Sequence, residues 1–430
     1  MSLPRISKVF GAINIGSFRI SAMIMGVAET GELIVLGSSH RASQGIKGGY
    51  VTDPAAATYA IRDAVERAEK NAGTSISSVW VGCAGAGLSS HVSRAVIDIG
   101  GRRIEKEDVE LLLVAARDQL QPDQRMVLHA QPAQYTLDGA HGVADPAGLH
   151  AEELAVDIHV MLADGAPVHN LIEAVQNAHL HVESVVGAPI AAGHACLSAE
   201  ERELGVVLIE IGGDLTTVSH YAGGMMHSLR AIPHGSSTIT DAVAGAFGIR
   251  RFQAERLKCV SGSAMASPGD HREMIPVNGP NDTNVETGPT ARGADDCNRI
   301  PRAELIGVVT EQLAKLTDEI NRALKDTDLA KAKGSRVVLT GGGAELAGIA
   351  EFIQSALGRP VRIGRPPALR GLPNAHGVPG FATLAGLCLY AASDPVDIRT
   401  IDIGASPVGT VREGGIALLS RMFRIAREGF

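Results

Sequence analysis

Apolar residues fall in short, nearly continuous runs, and three of these runs stop at glycine. Val337-Val338-Leu339-Thr340 ends at Gly341-Gly342-Gly343, ahead of a helical pattern over 346–357. The run 9–15 ends at Gly16-Ser17, and the run 206–211 ends at Gly212-Gly213. Short apolar runs bounded by turn residues predict buried strands. A strand that ends in a glycine turn leaves backbone N–H groups open. With no Cβ in the way, a flat or charged ligand can approach the main chain. One such turn is weak evidence for a nucleotide. Recurrence, with the first two turns about half the chain apart, points to two related halves that each offer a strand turn to one phosphate chain.

Around these turns the pattern predicts strands over 20–27, 33–37, 79–82, 93–99, 127–135, 154–162 and 361–363. A hairpin is predicted over 216–221 and 225–229, across Gly223-Gly224. Helices are predicted over 55–71, opened by Asp53-Pro54 and closed by Gly73, and over 104–119, whose first turn is acidic. Further helices are expected over 168–181, 189–196, 236–247, around 254–258, and over 302–324 and 381–392. Residues 86–164 read as a small α+β insertion, 262–300 as a loop or irregular hairpin, and 395–416 as a linker. His129 and His159 lie in strand-like runs and read as packed or hydrogen-bonded imidazoles rather than metal ligands.

The last residues carry a different pattern. Leu419, Met422, Phe423, Ala426 and Phe430 recur at helical spacing, and Arg421, Arg424 and Arg427 lie opposite. An apolar face with a basic back suits a helix lying in the interface of an anionic membrane. The competing reading is a terminal helix docked on the body.

Composition narrows the class. The chain has 430 residues, 50 glycines and 3% aromatic residues, which favours an Ala/Val/Gly-rich α/β body of about three modules over a β-sandwich. A net charge of −8 argues against a general nucleic-acid surface. The five cysteines are scattered singly, with no CxxC pair, and read as reduced thiols of a cytosolic protein. The N-terminus lacks a signal-peptide pattern, and no apolar run of about 18 residues predicts a membrane span.

Taken together, these segments resemble the FtsA family, the actin-like proteins of bacterial cell division, from about residue 8 to the last residue. The most specific stretches lie in the insertion: Ile104-Glu105-Lys106-Glu107-Asp108-Val109, Leu128-His129-Ala130-Gln131-Pro132-Ala133-Gln134-Tyr135 with Asp138-Gly139, and Asp145-Pro146-Ala147-Gly148-Leu149. They look like the family's own 1C subdomain. Leu339-Thr340-Gly341-Gly342-Gly343-Ala344 is similar to the adenosine motif, and Ala254-Glu255-Arg256-Leu257-Lys258 to the helix on the purine and ribose side.

The resemblance implies the actin/hexokinase/Hsp70-like ATPase fold: two α/β domains around a nucleotide cleft, an FtsA-type insertion and a C-terminal amphipathic helix. It divides the chain into subdomain 1A (1–85, 165–204, 361–394), 1C (86–164), 2A (205–240, 303–360), 2B (241–302), a linker (395–416) and a membrane-targeting helix (417–430). It places ATP against Asn14, Gly16 and Ser17, against Glu210, Gly212, Gly213 and Thr216, against Glu255 and Lys258, and against Gly341, Gly342 and Gly343. A hydrated Mg2+ would be reached through water from Asn14 and Glu210.

Here the chain departs from the family pattern. The family has Asp at Asn14, a small hydroxyl residue at Phe18, and Asp-Ile-Gly-Gly-Gly-Thr-Thr-Asp where this chain has Glu210-Ile211-Gly212-Gly213-Asp214-Leu215-Thr216-Thr217. Asn14 removes a charge, Glu210 displaces one by a methylene, and Asp214 sets a carboxylate against phosphate. Hydrolysis needs the metal in place, so the expectation is nucleotide binding with at most weak ATPase activity.

The implied role is to hold the ring of tubulin-like FtsZ at the cytoplasmic face of the inner membrane, as a peripheral protein of the division site. Arg299 and Arg302 are the candidate contacts for the acidic C-terminal peptide of FtsZ. Self-association into filaments and contacts with later division proteins are also implied. Rival readings are a sugar or acid kinase of the same superfamily and a pilus-assembly scaffold related to the family.

Overall fold

The computed structural model describes residues 5–85, 87–120, 122–277, 299–326 and 335–400. Two five-stranded sheets repeat one topology. In the first, Ile6–Ile15, Arg19–Ala28 and Leu33–Ala42 form an antiparallel meander. Ser78–Cys83 then joins the free side of Ile6–Ile15 in parallel, and His181–Gly187 joins it in turn. In the second, Val206–Ile211, Thr216–Ala222 and Met225–Ile232 form the meander, and Arg336–Thr340 and Val361–Ile363 extend it in parallel.

Even the first hairpins match. Ile15 stands opposite Ile20 and Ile211 opposite Thr216. The Gly16 N–H donates to Arg19 O at 3.1 Å, and the Gly212 N–H to Leu215 O at 2.8 Å. The two related halves expected from the glycine turns are therefore present as strand order and as turn geometry.

Between the sheets lie the helices Ala188–Cys196 and Ala382–Ala392. Both are apolar all round, which marks a helix with no solvent face. A Cβ on Gly386 would overlap the Ala191 carbonyl, so glycine sets how closely these helices pack. The Tyr221 hydroxyl donates to Pro189 O at 2.8 Å and ties the second sheet to this layer. On the outer face of the first sheet, Pro54–Ala72 begins where Asp53 Oδ1 accepts the Ala56 N–H at 3.1 Å and ends at Gly73, φ 68°.

The insertion forms its own antiparallel sheet, ordered Ser89–Asp98, Glu153–Ala163, Met126–Leu137, Ala140–Val143. Helix Lys106–Asp118 packs Leu112, Leu113 and Ala116 into that sheet's separate core. Asp108 caps its start by accepting the Glu105 N–H at 2.8 Å, and Arg102 holds the same carboxylate through Nη1 and Nη2.

Several elements differ from expectation. The helix expected over 168–181 is Gly165–Gln176. His179 turns the chain at φ 65°, and His181–Gly187 is an additional strand. No glycine or proline marks that break. After the triple glycine, a 3-10 turn over Gly342–Glu345 precedes a helix that begins only at Ile349, beyond Gly348 at φ 74°. Within 262–300, Met274–Pro276 pairs with Arg299–Pro301. The segment read as a linker starts out docked. Ile398 is fully buried in the insertion's core, and Arg399 Nη1 donates to Val127 O at 2.6 Å. The terminal residues Leu419, Arg421, Met422, Phe423, Arg424, Arg427 and Phe430 lie outside the described residues. Cys83, Cys196, Cys259 and Cys388 are free thiols, and Cys297 lies outside the described residues.

Candidate functional site

A cavity of about 540 Å³ lies where the turns after Ile15, Ile211 and Thr340 meet. Val206–Ile211 and Arg336–Thr340 run parallel, so both reach it with their carboxyl ends, the usual ligand position in such sheets. Asn14, Gly16, Ser17, Glu210, Gly212, Gly213, Glu255, Lys258, Gly341, Gly342 and Gly343 all line it. Thr216 does not. It is fully buried with its hydroxyl unbonded, and Thr217 faces the cavity instead. Neighbours on a strand point to opposite faces, so only one of the two can line the cleft.

The three glycines serve different ends. A Cβ on Gly341, at φ 86°, would stand 2.5 Å from Ile211 O, and one on Gly343 would overlap Ile211 Cγ2. Both let the strand ends pack against each other. Gly342 meets nothing within 4 Å and alone leaves an open approach to the main chain. The ligand-approach argument therefore holds for one glycine of the three.

Glu255 and Lys258 sit one helical turn apart on Arg251–Ser261 and form an ion pair at 2.7 Å. It is not a surface pair, since Lys258 is 6% exposed. Lys258 Nζ also donates to Ser236 O at 3.1 Å and to Thr240 Oγ1 at 2.8 Å, and the Thr240 hydroxyl donates to Glu255. Burial works to raise the Glu255 carboxyl, but the hydrogen bond and charge of Lys258 outweigh it and hold the group below its ordinary value. The cluster locks this helix to Ser236–Phe247 beside the cavity.

The phosphate end carries the departures. Asn14 contributes a carboxamide. Glu210 Oε1 accepts the Thr383 hydroxyl, while Oε2 is buried without a partner. Burial pushes the Glu210 carboxyl up, partly offset by the hydroxyls of Thr383 and, at longer range than a well-formed hydrogen bond, Thr217. Asp214 lines the cavity with one carboxylate oxygen tied to the opposite loop. Its Oδ2 accepts the Gly48 N–H at 2.9 Å, while Ser17 Oγ accepts the Gly49 N–H at 3.2 Å. Phe18 is 54% exposed at the cavity, and its Cβ would be 3.0 Å from a Cβ on Gly213, so the two loops approach closely there while the ring stays largely open to solvent. A hydrated Mg2+ needs accessible oxygens, commonly from one or two carboxylates. Here one carboxylate oxygen is sealed and another is occupied by a hydroxyl. Asn14 carries no charge, and Asp214 is tethered through Oδ2 to the Gly48 N–H of the opposite loop, away from the Asn14 and Glu210 positions. The donor set does not fit that ion.

Sequence reasoning missed Arg19, Phe252, Arg256, Glu345, Gly380 and Thr383, which also line the cavity. Phe252 stands one turn before both Glu255 and Arg256 (i+3 and i+4), so helical spacing could have found it and Arg256. Gly380 and Thr383 come from a distant segment, and nothing local marks them. Arg19 lies over the Phe381 ring, 4.1 Å from its centroid.

The two arginines expected at a peptide surface separate. Arg302 is committed internally: it bonds Asp270 at 2.8 Å and donates to Ser261 O at 2.8 Å, so it stitches its own lobe together. Arg299, on the short strand Arg299–Pro301, is exposed and forms no ion pair among the described residues. His159 shares a hydrogen bond with Ser90 Oγ at 2.8 Å, and His129 is buried with neither ring nitrogen bonded.

Residues 207–386 match the family model described as Cell division protein FtsA, and residues 85–162 the one described as SHS2 domain inserted in FTSA. The "Cell division protein FtsA" of Rhizobium meliloti is 34% identical over 445 residues, covering 100% of this chain and 98% of that protein. That of Escherichia coli K12 is 28% identical over 89% of this chain and 90% of its own length. Among solved structures, a PilM-PilN type IV pilus biogenesis complex superposes with a TM-score of 0.61 at 18% identity, covering 90% of this chain and 99% of that one. MreB5 of Spiroplasma citri bound to ADP superposes with a TM-score of 0.53 at 13% identity, covering 90% and 97%. At these identities the structural likeness shows the fold, which is that of the actin-like ATPases.

Proposed function

The chain belongs to the FtsA family of bacterial cell-division proteins, and from that membership we propose that it tethers the FtsZ ring to the cytoplasmic membrane and helps assemble the division machinery. The observation that carries this reading is the paired match: an actin-like body, with the family's inserted domain spanning 85–162.

The division of labour follows the subdomains. The body with 1A and 2A holds an adenine nucleotide in the cleft and hydrolyses it weakly or not at all, because the metal position is degraded. The insertion serves self-association into filaments. The 2B lobe receives the acidic C-terminal peptide of FtsZ, and Arg299 is the exposed cation offered to it. The basic, apolar tail from Leu419 to Phe430 attaches peripherally to anionic lipid. Among the described residues no helix is long and apolar enough to cross a membrane. One amphipathic helix binds weakly, and a filament linking many binds firmly. A kinase would need a carboxylate placed to act as base in the cleft, whereas Glu210 is held by the Thr383 hydroxyl and Asp214 by the Gly48 N–H.

Flotation with anionic liposomes tests this directly, comparing the full chain, a chain ending at residue 416, and Arg299→Ala, each with FtsZ. The full chain should float and carry FtsZ, and the shortened chain should do neither. Arg299→Ala should float but carry less FtsZ. If the full and shortened chains behave alike, the membrane reading fails.

A further inference from the structure

The cleft contains a cation that no ion pair holds among the described residues. Arg19 opens the strand Arg19–Ala28 directly after the first glycine turn and lines the cavity. Its guanidinium lies 4.1 Å from the Phe381 ring centroid, and that ring is stacked in turn on His376 at 4.1 Å. The side chain is thus oriented from below by aromatic contact. Glu345, the nearby carboxylate whose charge acts on Arg19 without forming an ion pair with it, accepts the Gly380 N–H through Oε1 at 3.1 Å. A Cβ on Gly380 would overlap Arg19 Nη2, so glycine there makes room for the guanidinium.

Set beside this cation, the positions where a divalent ion would be held are poor in free carboxylate oxygen. Asn14 is uncharged, Glu210 has one sealed oxygen and one bonded to Thr383, and Asp214 accepts Gly48 N–H. We propose that this cleft binds the phosphate chain of an adenine nucleotide without a divalent metal, with Arg19 supplying the positive charge. The inference rests on the nucleotide reading of the same cleft. An arginine suits the task. Its guanidinium is always charged, less strongly hydrated than an ammonium, and planar with donors spaced to grip two phosphate oxygens. It neutralises charge without positioning a water for attack, which agrees with binding uncoupled from hydrolysis.

Calorimetric titration of the full chain with ATP, ADP and adenosine, in excess EDTA and in excess magnesium, tests the proposal. ATP and ADP affinities should agree within about threefold between the two conditions. Arg19→Gln should weaken ATP and ADP by about tenfold or more, as loss of a charge-assisted hydrogen bond does, and leave adenosine nearly unchanged. Arg19→Lys, which keeps the charge, should recover part of the loss. ATP binding that disappears in EDTA, or an Arg19→Gln chain that binds ATP as the parent does, overturns the inference while the nucleotide reading stands. If neither ATP nor adenosine binds the parent chain, both fall. Should Arg19→Gln fail to fold, the EDTA comparison on the parent and the Arg19→Lys titration decide the matter.

Discussion

The Asp214 carboxylate accepts the Gly48 N–H at 2.9 Å, a bond that crosses from the second half of the fold to the first. Ser17, on the opposite loop, accepts the next N–H, that of Gly49, at 3.2 Å. Two loops that should face phosphate are both tied to one glycine turn. Asp214→Asn keeps an acceptor for Gly48 and removes the charge. Its expected effect is about tenfold tighter ATP binding with an unchanged melting temperature, since one like charge on the cavity wall costs on the order of 1 kcal/mol at an effective dielectric of ~20. Asp214→Ala should also lose about 1 kcal/mol of stability, because the bond is gone. Nucleotide titration and thermal unfolding on both variants check this.

Gly342 and Gly343 should part company on mutation. A methyl group on Gly343 overlaps Ile211 Cγ2, and overpacking of that kind costs about 1–3 kcal/mol. Gly342→Ala meets open space. It should leave unfolding untouched and weaken nucleotide binding by intruding on the approach to the main chain. Urea unfolding and nucleotide titration of the two variants separate packing from access.

Lys258 is the centre of a buried cluster, so its removal acts on more than one group. Lys258→Met strands Glu255 in a half-buried site and frees Thr240. Breaking one side of such a pair costs about 3 kcal/mol. Glu255→Gln with Lys258→Met should recover part of that, because no charge is then left unpaired. A double-mutant cycle in urea measures the difference.

Acid should destabilise the joint between insertion and body before it reaches the carboxylates. Burial pushes His159 and His194 down to about 4 from an ordinary value of 6.5. His129 is pushed down by burial and then by its neighbour His159. The unfolded chain therefore binds protons that the folded chain refuses, so stability rises with pH. The stabilisation is complete above 6.5 and is lost as pH falls from 6.5 towards about 4. Each such histidine contributes a slope of about 1.4 kcal/mol per pH unit within that window. His159→Phe should flatten the slope of denaturation midpoint against pH by about one proton. An unchanged slope would mean that this imidazole titrates alike in both states.

Local chemistry wrote much of this molecule into its sequence. Helix Ser236–Phe247 occurs residue for residue where the periodicity places it. Asp53 and Gly73 mark the ends of Pro54–Ala72, because a cap needs only its own side chain or its own positive φ. The three glycine turns, both meanders and the loop residues that line the cavity at those turns were legible for the same reason: period and turn residues act over a few positions. Tertiary contact decided the rest. Thr216 and Thr217 must face opposite ways, but which one looks into the cleft depends on the layer packed beneath the sheet. Glu210 meets Thr383 across 173 positions, Asp214 meets Gly48 across 166, and Ile398 enters a core built from residues 95–162. A charge or a methyl group has no fixed role until distant chain arrives beside it. That is why Arg302 became a strut, Arg19 a cation facing the cleft, and two of three glycines packing devices.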